Sequence, residues 1–127
     1  MPPTDALRKL VAFTFEHHSR HPDFIRLVMI ENIHHGAYLQ QSDIIRDLNI
    51  TAIKELERLY ARGVELGEFR SGISPLEIHW QISALSFFNV SNRVTFSMIF
   101  GDQLFSTENQ SSLRQSVVDL IVRNVQK

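Results

Sequence analysis

The sequence predicts an all-α protein, an irregular helical bundle of about five to six helices, and three observations carry that prediction. Long stretches place apolar residues at steps of three and four. Of only five glycines, four (Gly36, Gly67, Gly72 and Gly101) fall where such a pattern stops, as helix C-terminal punctuation does. Ser74-Pro75-Leu76-Glu77 has the composition of a capping box with proline at the first helical position, where its missing N–H costs nothing.

Element by element, Leu7, Leu10, Val11, Thr14 and His18 predict a first helix from about Thr4 to Arg20, with Phe13 and Phe15 widening its stripe. A second, about Pro22 to His35, sets Phe24, Leu27, Val28 and Glu31 on one face and Met29, Ile30 and Ile33 around the back, so both sides are expected to be covered. Between Tyr38 and Leu66, Ile45, Leu48, Ala52, Leu56, Leu59, Tyr60 and Gly63 repeat at helical spacing. At about 1.5 Å per residue this third helix would run roughly 40 Å and form one wall. The fourth, Ser74 to about Arg93, has apolar residues on two faces: Leu76, His79, Trp80, Ser83, Phe87 and Val90, then Ile78, Ile82, Leu85 and Asn89. Little of its circumference suits water, so it is central. Val94, Phe96, Met98 and Phe100 alternate as a strand would, but no second strand pairs with them, which leaves a continued or broken helix. After a polar loop, Gly101 to about Asn109, the last helix from about Gln110 to Val125 carries Leu113, Val117, Leu120 and Ile121 on one face. Val118, Val122 and Val125 add a second stripe, a surplus that points to a partner chain.

The 127 residues are expected to form a single domain, since 43% hydrophobic and 21% charged residues are ordinary for a globular chain of this size. No cysteine occurs, which removes disulfides, thiolate metal sites and cysteine nucleophiles together. Thirteen basic against 14 acidic residues give a formal charge of −1, so the whole-chain field offers no attraction to nucleic acid. With no apolar run long enough to span a bilayer and no leader pattern at the start, the expectation is a cytoplasmic protein without a membrane partner.

No G-x-S-x-G elbow, phosphate-cradling glycine loop or H-E-x-x-H order is present, so the expectation is no enzyme, no cofactor and no metal. His17, His18 and His21 lie within one turn, and Glu31 is spaced for His34 or His35, but histidines near helix C-termini are favoured by the helix dipole without any ligand. More informative are aromatics interleaved with polar groups on the first four helices, the way small-molecule cavities between helices are built. Phe13, His17, Phe24, Asn32, His35, Tyr38, Trp80 and Phe87 are therefore the candidate ligand-binding residues. A polar side chain within an apolar stripe, such as Gln81 or Asn89, needs a partner that a ligand could supply. The arginines and lysines are spread among acids and form no recognition helix.

His21-Pro22-Asp23-Phe24-Ile25-Arg26-Leu27-Val28-Met29-Ile30-Glu31-Asn32, the stretch Tyr60-Ala61-Arg62-Gly63-Val64-Glu65-Leu66-Gly67-Glu68-Phe69-Arg70, and Ser74-Pro75 opening an apolar helix together resemble the C-terminal regulatory domain of tetracycline-repressor-like (TetR family) transcription factors. The middle stretch is the most telling, being similar to the G-x-x-x-G-x-F-R turn that ends the family's long helix. The resemblance implies an all-α domain that binds a small, mostly apolar effector and forms a homodimer through its last two long helices, with DNA contacted only through a helix-turn-helix head that has no counterpart in these residues. The dimer interface so implied comprises Phe88, Val117, Val118, Ile121, Val122 and Val125. The alternative is a purely structural dimerisation module with a filled core and no small-molecule ligand.

Overall fold

The computed structural model describes residues 1–127, the side chain of Ile44 apart. Six α-helices follow in order: α1 (Pro3–Arg20), α2 (Pro22–Ile33), α3 (Asp43–Glu65), α4 (Pro75–Ser91), α5 (Arg93–Phe100) and α6 (Thr107–Val125). Short 3-10 turns at Leu39–Gln41 and Gln103–Phe105 precede α3 and α6, and no strand forms among the described residues beyond an isolated bridge between Phe69 and Gln126. The all-α bundle is thus as the sequence predicts.

Helix starts were set by serines that periodicity alone did not find. Ser42 accepts a hydrogen bond from the Ile45 amide at 3.4 Å and opens α3. Ser106 accepts from the Asn109 amide at 3.1 Å and opens α6. An N-cap hydroxyl satisfies one amide that has no partner inside the helix, so each fixes its boundary more sharply than an apolar stripe can. As a result α3 begins at Asp43 rather than Tyr38, and at 23 residues spans roughly 35 Å. Ser74 departs from expectation in the other direction: its side chain makes no capping bond, and Pro75 alone marks the start of α4. The ambiguous Val94–Phe100 segment is helical, separated from α4 by a break at Asn92. Gly36, Gly67, Gly72 and Gly101 all have positive φ, between 72° and 88°, which is why glycine stands at each stop.

The core lies where α1 crosses α4 and α6. Leu7, Val11 and Phe15, spaced by four, present one face of α1 to Ile78 and Ile82 of α4 and to Val117, Val118, Ile121, Val122 and Val125 of α6. Leu56 and Tyr60 bring the C-terminal half of α3 into the same core. In contrast α2 buries only Ile25 and packs on α4 and α1, its other faces being open. The expectation that both sides of this helix are covered is therefore corrected: among the described residues Phe24, Leu27, Ile30 and Ile33 of α2 stay exposed.

The Gly63-to-Arg70 turn ties three helices together. The Gly63 carbonyl accepts from the amides of Glu68 and Phe69 at 2.9 and 3.0 Å, which folds Phe69 back onto the end of α3. The Arg70 amide donates to the Val125 carbonyl at 2.8 Å and the Lys127 amide to the Glu68 carbonyl at 3.1 Å, joining the turn to the end of α6. Glu68 in turn accepts from the Thr4 amide and hydroxyl, fixing the start of α1. The Tyr60 hydroxyl donates to the Arg70 carbonyl at 2.6 Å and accepts from the buried Ile73 amide at 3.0 Å. Buried backbone groups left without partners are costly, so one tyrosine satisfies the link from α3 to α4.

Candidate functional site

The apolar stripe of α3 leaves the core halfway along the helix. Leu56 and Tyr60 are buried, whereas Ile45, Leu48 and Ile50 are exposed. Between that N-terminal half, the turn after α2 and the start of α4 lies a cavity of about 680 Å³. Leu39, Ile45, Ile50, Ile53 and Leu76 supply its apolar walls, and Gln40, Asn49, His35 and His79 its polar groups. Arg46, Lys54 and Glu57 from α3 add charge at its margin. The size falls within the range of small-molecule sites, about 300–1,000 Å³, and an apolar wall with a few polar groups is their usual composition.

His35 reaches this cavity because the chain turns sharply after α2. His35 has φ of 57° and Gly36 φ of 72°, two successive left-handed residues, and the Gly36 amide closes the turn on the Glu31 carbonyl at 2.7 Å. A left-handed residue with a side chain costs about 1–2 kcal/mol.

His79, on α4, is half-buried at the cavity wall, and its Nε2 faces the Ser83 hydroxyl at 3.4 Å. Burial lowers its pKa below the ordinary histidine value. Burial likewise lowers that of His18 on α1; the Thr14 carbonyl, which accepts from His18 Nδ1 at 2.8 Å, opposes the shift, while His17 and His79 add to it. Both rings therefore resist protonation more in the folded chain than in the unfolded one. Above about pH 6.5, the ordinary histidine value, folded and unfolded chains are both neutral here and nothing is lost. Below it the unfolded chain takes up protons that the folded chain refuses, so stability falls until the pH has passed the lowered values. The melting temperature is expected to drop between pH 7.5 and 5.5, and to drop less in a His18→Gln/His79→Gln variant. An equal drop in both would show that these rings are not responsible.

Of the residues expected to bind ligand, His35 alone lines this cavity. Phe13 and His17 stack at 5.6 Å on the outside of α1, bordering a dent of about 260 Å³. Phe24 and Tyr38 are largely exposed, and the Asn32 amide donates back to the Val28 carbonyl. Phe87 is half-buried on α4 and outside the cavity, and Trp80, 69% exposed, stands on the outer face of that helix. The polar groups within apolar stripes found partners inside the chain: Asn89 pairs with Gln110 and Gln81 with Asn124. What sequence reasoning missed was α3, where Arg46 and Asn49 fall among Ile45, Ile50 and Ile53. Polar residues within that stripe were the available signal.

The residues expected at a dimer interface divide. Val117, Val118, Ile121, Val122 and Val125 are at most 4% exposed within the protomer, so the valine surplus of α6 is absorbed by α1 and α4. A side chain with no exposed surface has none to give a partner, and the assignment of these five to an interface is corrected on that ground. Phe88, 54% exposed, keeps its surface. Trp80, two turns before it on α4, and Leu120, 55% exposed on α6, are exposed apolar side chains as well. Among the described residues no three His, Asp or Glu side chains converge as metal ligands, and no helix is long and apolar enough to cross a membrane.

The chain is an all-α bundle with a lateral cavity beside α3 and exposed apolar side chains on α4 and α6. The comparison with known families agrees: the family described as "Tetracyclin repressor-like, C-terminal domain" matches residues 3–121, and the chain belongs to that family. Among curated proteins, the HTH-type transcriptional repressor NicS of Pseudomonas putida is 30% identical over 125 residues, 98% of this chain. The chain spans 59% of the length of that relative. Membership in this family points to a transcriptional regulator.

Proposed function

We propose that this chain is the effector-binding and homodimerisation domain of a TetR-like regulator, working in the cytoplasm and contacting DNA only through a helix-turn-helix head of the kind that NicS has by name. The observation that carries the reading is the cavity of about 680 Å³ between α3, α4 and the turn after α2. A small, mostly apolar molecule fits its isoleucine and leucine walls, and Asn49, Gln40 and His79 orient it. A second copy packs its own α4 and α6 against Trp80, Phe88 and Leu120, which a two-fold axis makes self-complementary. Effector binding alters regulation to the extent that it favours one orientation of the two heads over the other.

Native mass spectrometry of the purified chain tests both halves. The expected result is a dimer carrying extra mass that leaves on denaturation, with Ile53→Trp filling the cavity and abolishing the extra mass. Leu120→Asp, on an exposed position, is expected to give a folded monomer. A clean monomer from the unaltered chain would overturn the dimer, and a dimer whose retained mass is indifferent to Ile53→Trp would overturn the cavity. A dimer that retains nothing would favour a dimerisation module without ligand.

A further inference from the structure

At the other end of α2 lies a second, more enclosed cleft of about 420 Å³, between the start of α2, the break from α4 to α5 and the first turn of α6. Helix α2 separates it from the larger cavity: Arg26 and Met29 line the cleft, whereas His35 and Gly36, past the helix end, line the cavity. Its floor is neutral and fixed. Asn89 Nδ2 donates to Gln110 Oε1 at 2.8 Å, and Gln110 Nε2 donates to Asn89 Oδ1 at 3.1 Å and to the Leu104 carbonyl at 3.1 Å. Met29 and Val94 give the cleft an apolar side, with Ile25 buried directly beneath.

The charge around it is of one sign. Arg26 and Arg93 both line the cleft, and no aspartate or glutamate does. Among the described residues neither arginine forms an ion pair, and the nearby Glu16 of α1 is taken by Arg20 and Arg114. The Arg93 guanidinium rests over the Phe105 ring, 5.2 Å from its centroid, so an aromatic face rather than an acid positions it. A lone arginine in water is unremarkable. Arg26 and Arg93 are both exposed at the cleft and without an ion-pair partner among the described residues, so an anion entering it meets guanidiniums free to give charge-assisted hydrogen bonds.

We propose that this cleft binds a small amphipathic carboxylate, the carboxylate held by Arg26 and Arg93 and the hydrocarbon body against Met29 and Val94, with Ile25 buried beneath them. The volume is within the range of small-molecule sites. The inference is independent of the reading of the larger cavity, since the two share no lining residue.

The chain has three methionines, Met1, Met29 and Met98, of which Met29 alone lines the cleft, so methyl NMR reports on it directly. The full chain, carrying ¹³C-methyl labels on Met and Ile, is titrated with sodium octanoate at constant ionic strength. The methyl signals of Met29 and Ile25 are expected to move together and saturate, while Met98, Ile50 and Ile53 stay. Arg26→Gln, at an exposed and unpaired position, is expected to weaken the interaction about tenfold, the loss of one hydrogen bond to a charged group. Octanol and inorganic phosphate are each expected to bind far more weakly than octanoate. Movement confined to Ile50 and Ile53 would place octanoate in the larger cavity and overturn the proposal. So would unchanged affinity in Arg26→Gln, phosphate binding as well as octanoate, or an unmoved Met29.

Discussion

Val122→Asp is expected to unfold the protomer. Val122 is 1% exposed and sits with Val118, Val125, Leu7 and Val11 in a core cluster made of hydrophobic side chains. A charge buried without a partner costs about 3–5 kcal/mol, a large share of the roughly 5–15 kcal/mol that holds a typical domain folded. Protonation of the new carboxyl would reduce the electrostatic cost only by leaving a polar acid among valines. Circular dichroism should show the cooperative thermal transition lost or shifted far down. Leu120→Asp, two residues earlier on the same helix but half in solvent, should keep a transition close to that of the unaltered chain. If Val122→Asp instead melts normally and merely separates two folded subunits, then Val122 faces a partner and the protomer core is placed wrongly.

Gly63→Ala is the second large effect, and here two forces oppose each other. Gly63 lies inside α3, where alanine gains about 1 kcal/mol over glycine in helix propensity. A methyl group there, however, would overlap the Phe69 ring, which the turn folds directly onto Gly63. That ring cannot retreat: it is 2% exposed and stacks on Tyr60 with ring centroids 6.1 Å apart and planes 11° from parallel. Overpacking typically costs about 1–3 kcal/mol, and displacing Phe69 would also disturb the bonds joining the turn to α6. The expected net result is destabilisation, with Tm lower by about 5 °C or more. Combining Gly63→Ala with Phe69→Leu should cost less than the sum of the two single changes, since the smaller side chain relieves the overlap. An alanine variant more stable than the unaltered chain would show that propensity prevails and that the close approach is not binding.

The Gly63-x-x-x-Gly67-x-Phe69-Arg70 turn was legible as a family feature before its purpose was. Gly67 is required by its backbone, with φ of 76°, and Gly63 by its neighbour, so the two glycines of one motif answer to different constraints. Only the first kind follows from local chain geometry. The candidate site was legible in a coarser sense. Sequence placed a cavity among the first four helices, and the observed one lies between the second, third and fourth. The candidate residues and the lining of that cavity share only His35, because aromatics were weighted over the aliphatic and polar positions of α3. Phe13, Phe24 and Trp80 look like cavity or core by type, yet each stands mostly in solvent.

Periodicity determined the order of the helices, and glycines at 36, 67 and 101 stand just past the ends of α2, α3 and α5. Both are local properties, fixed by 3.6 residues per turn and by which residues tolerate positive φ. The resemblance carried by residues 60–70 determined the family as well. What covers each apolar stripe was decided only by tertiary packing. The valines of α6 looked like a surplus for a partner, and α1 and α4 cover them. The stripe of α3 looked like a continuous wall, and it leaves the core at its N-terminal half to open a cavity. A helical stripe has a direction but no record of its neighbour, because the neighbour can come from the far end of the chain, as Arg8 of α1 meets Asp119 of α6.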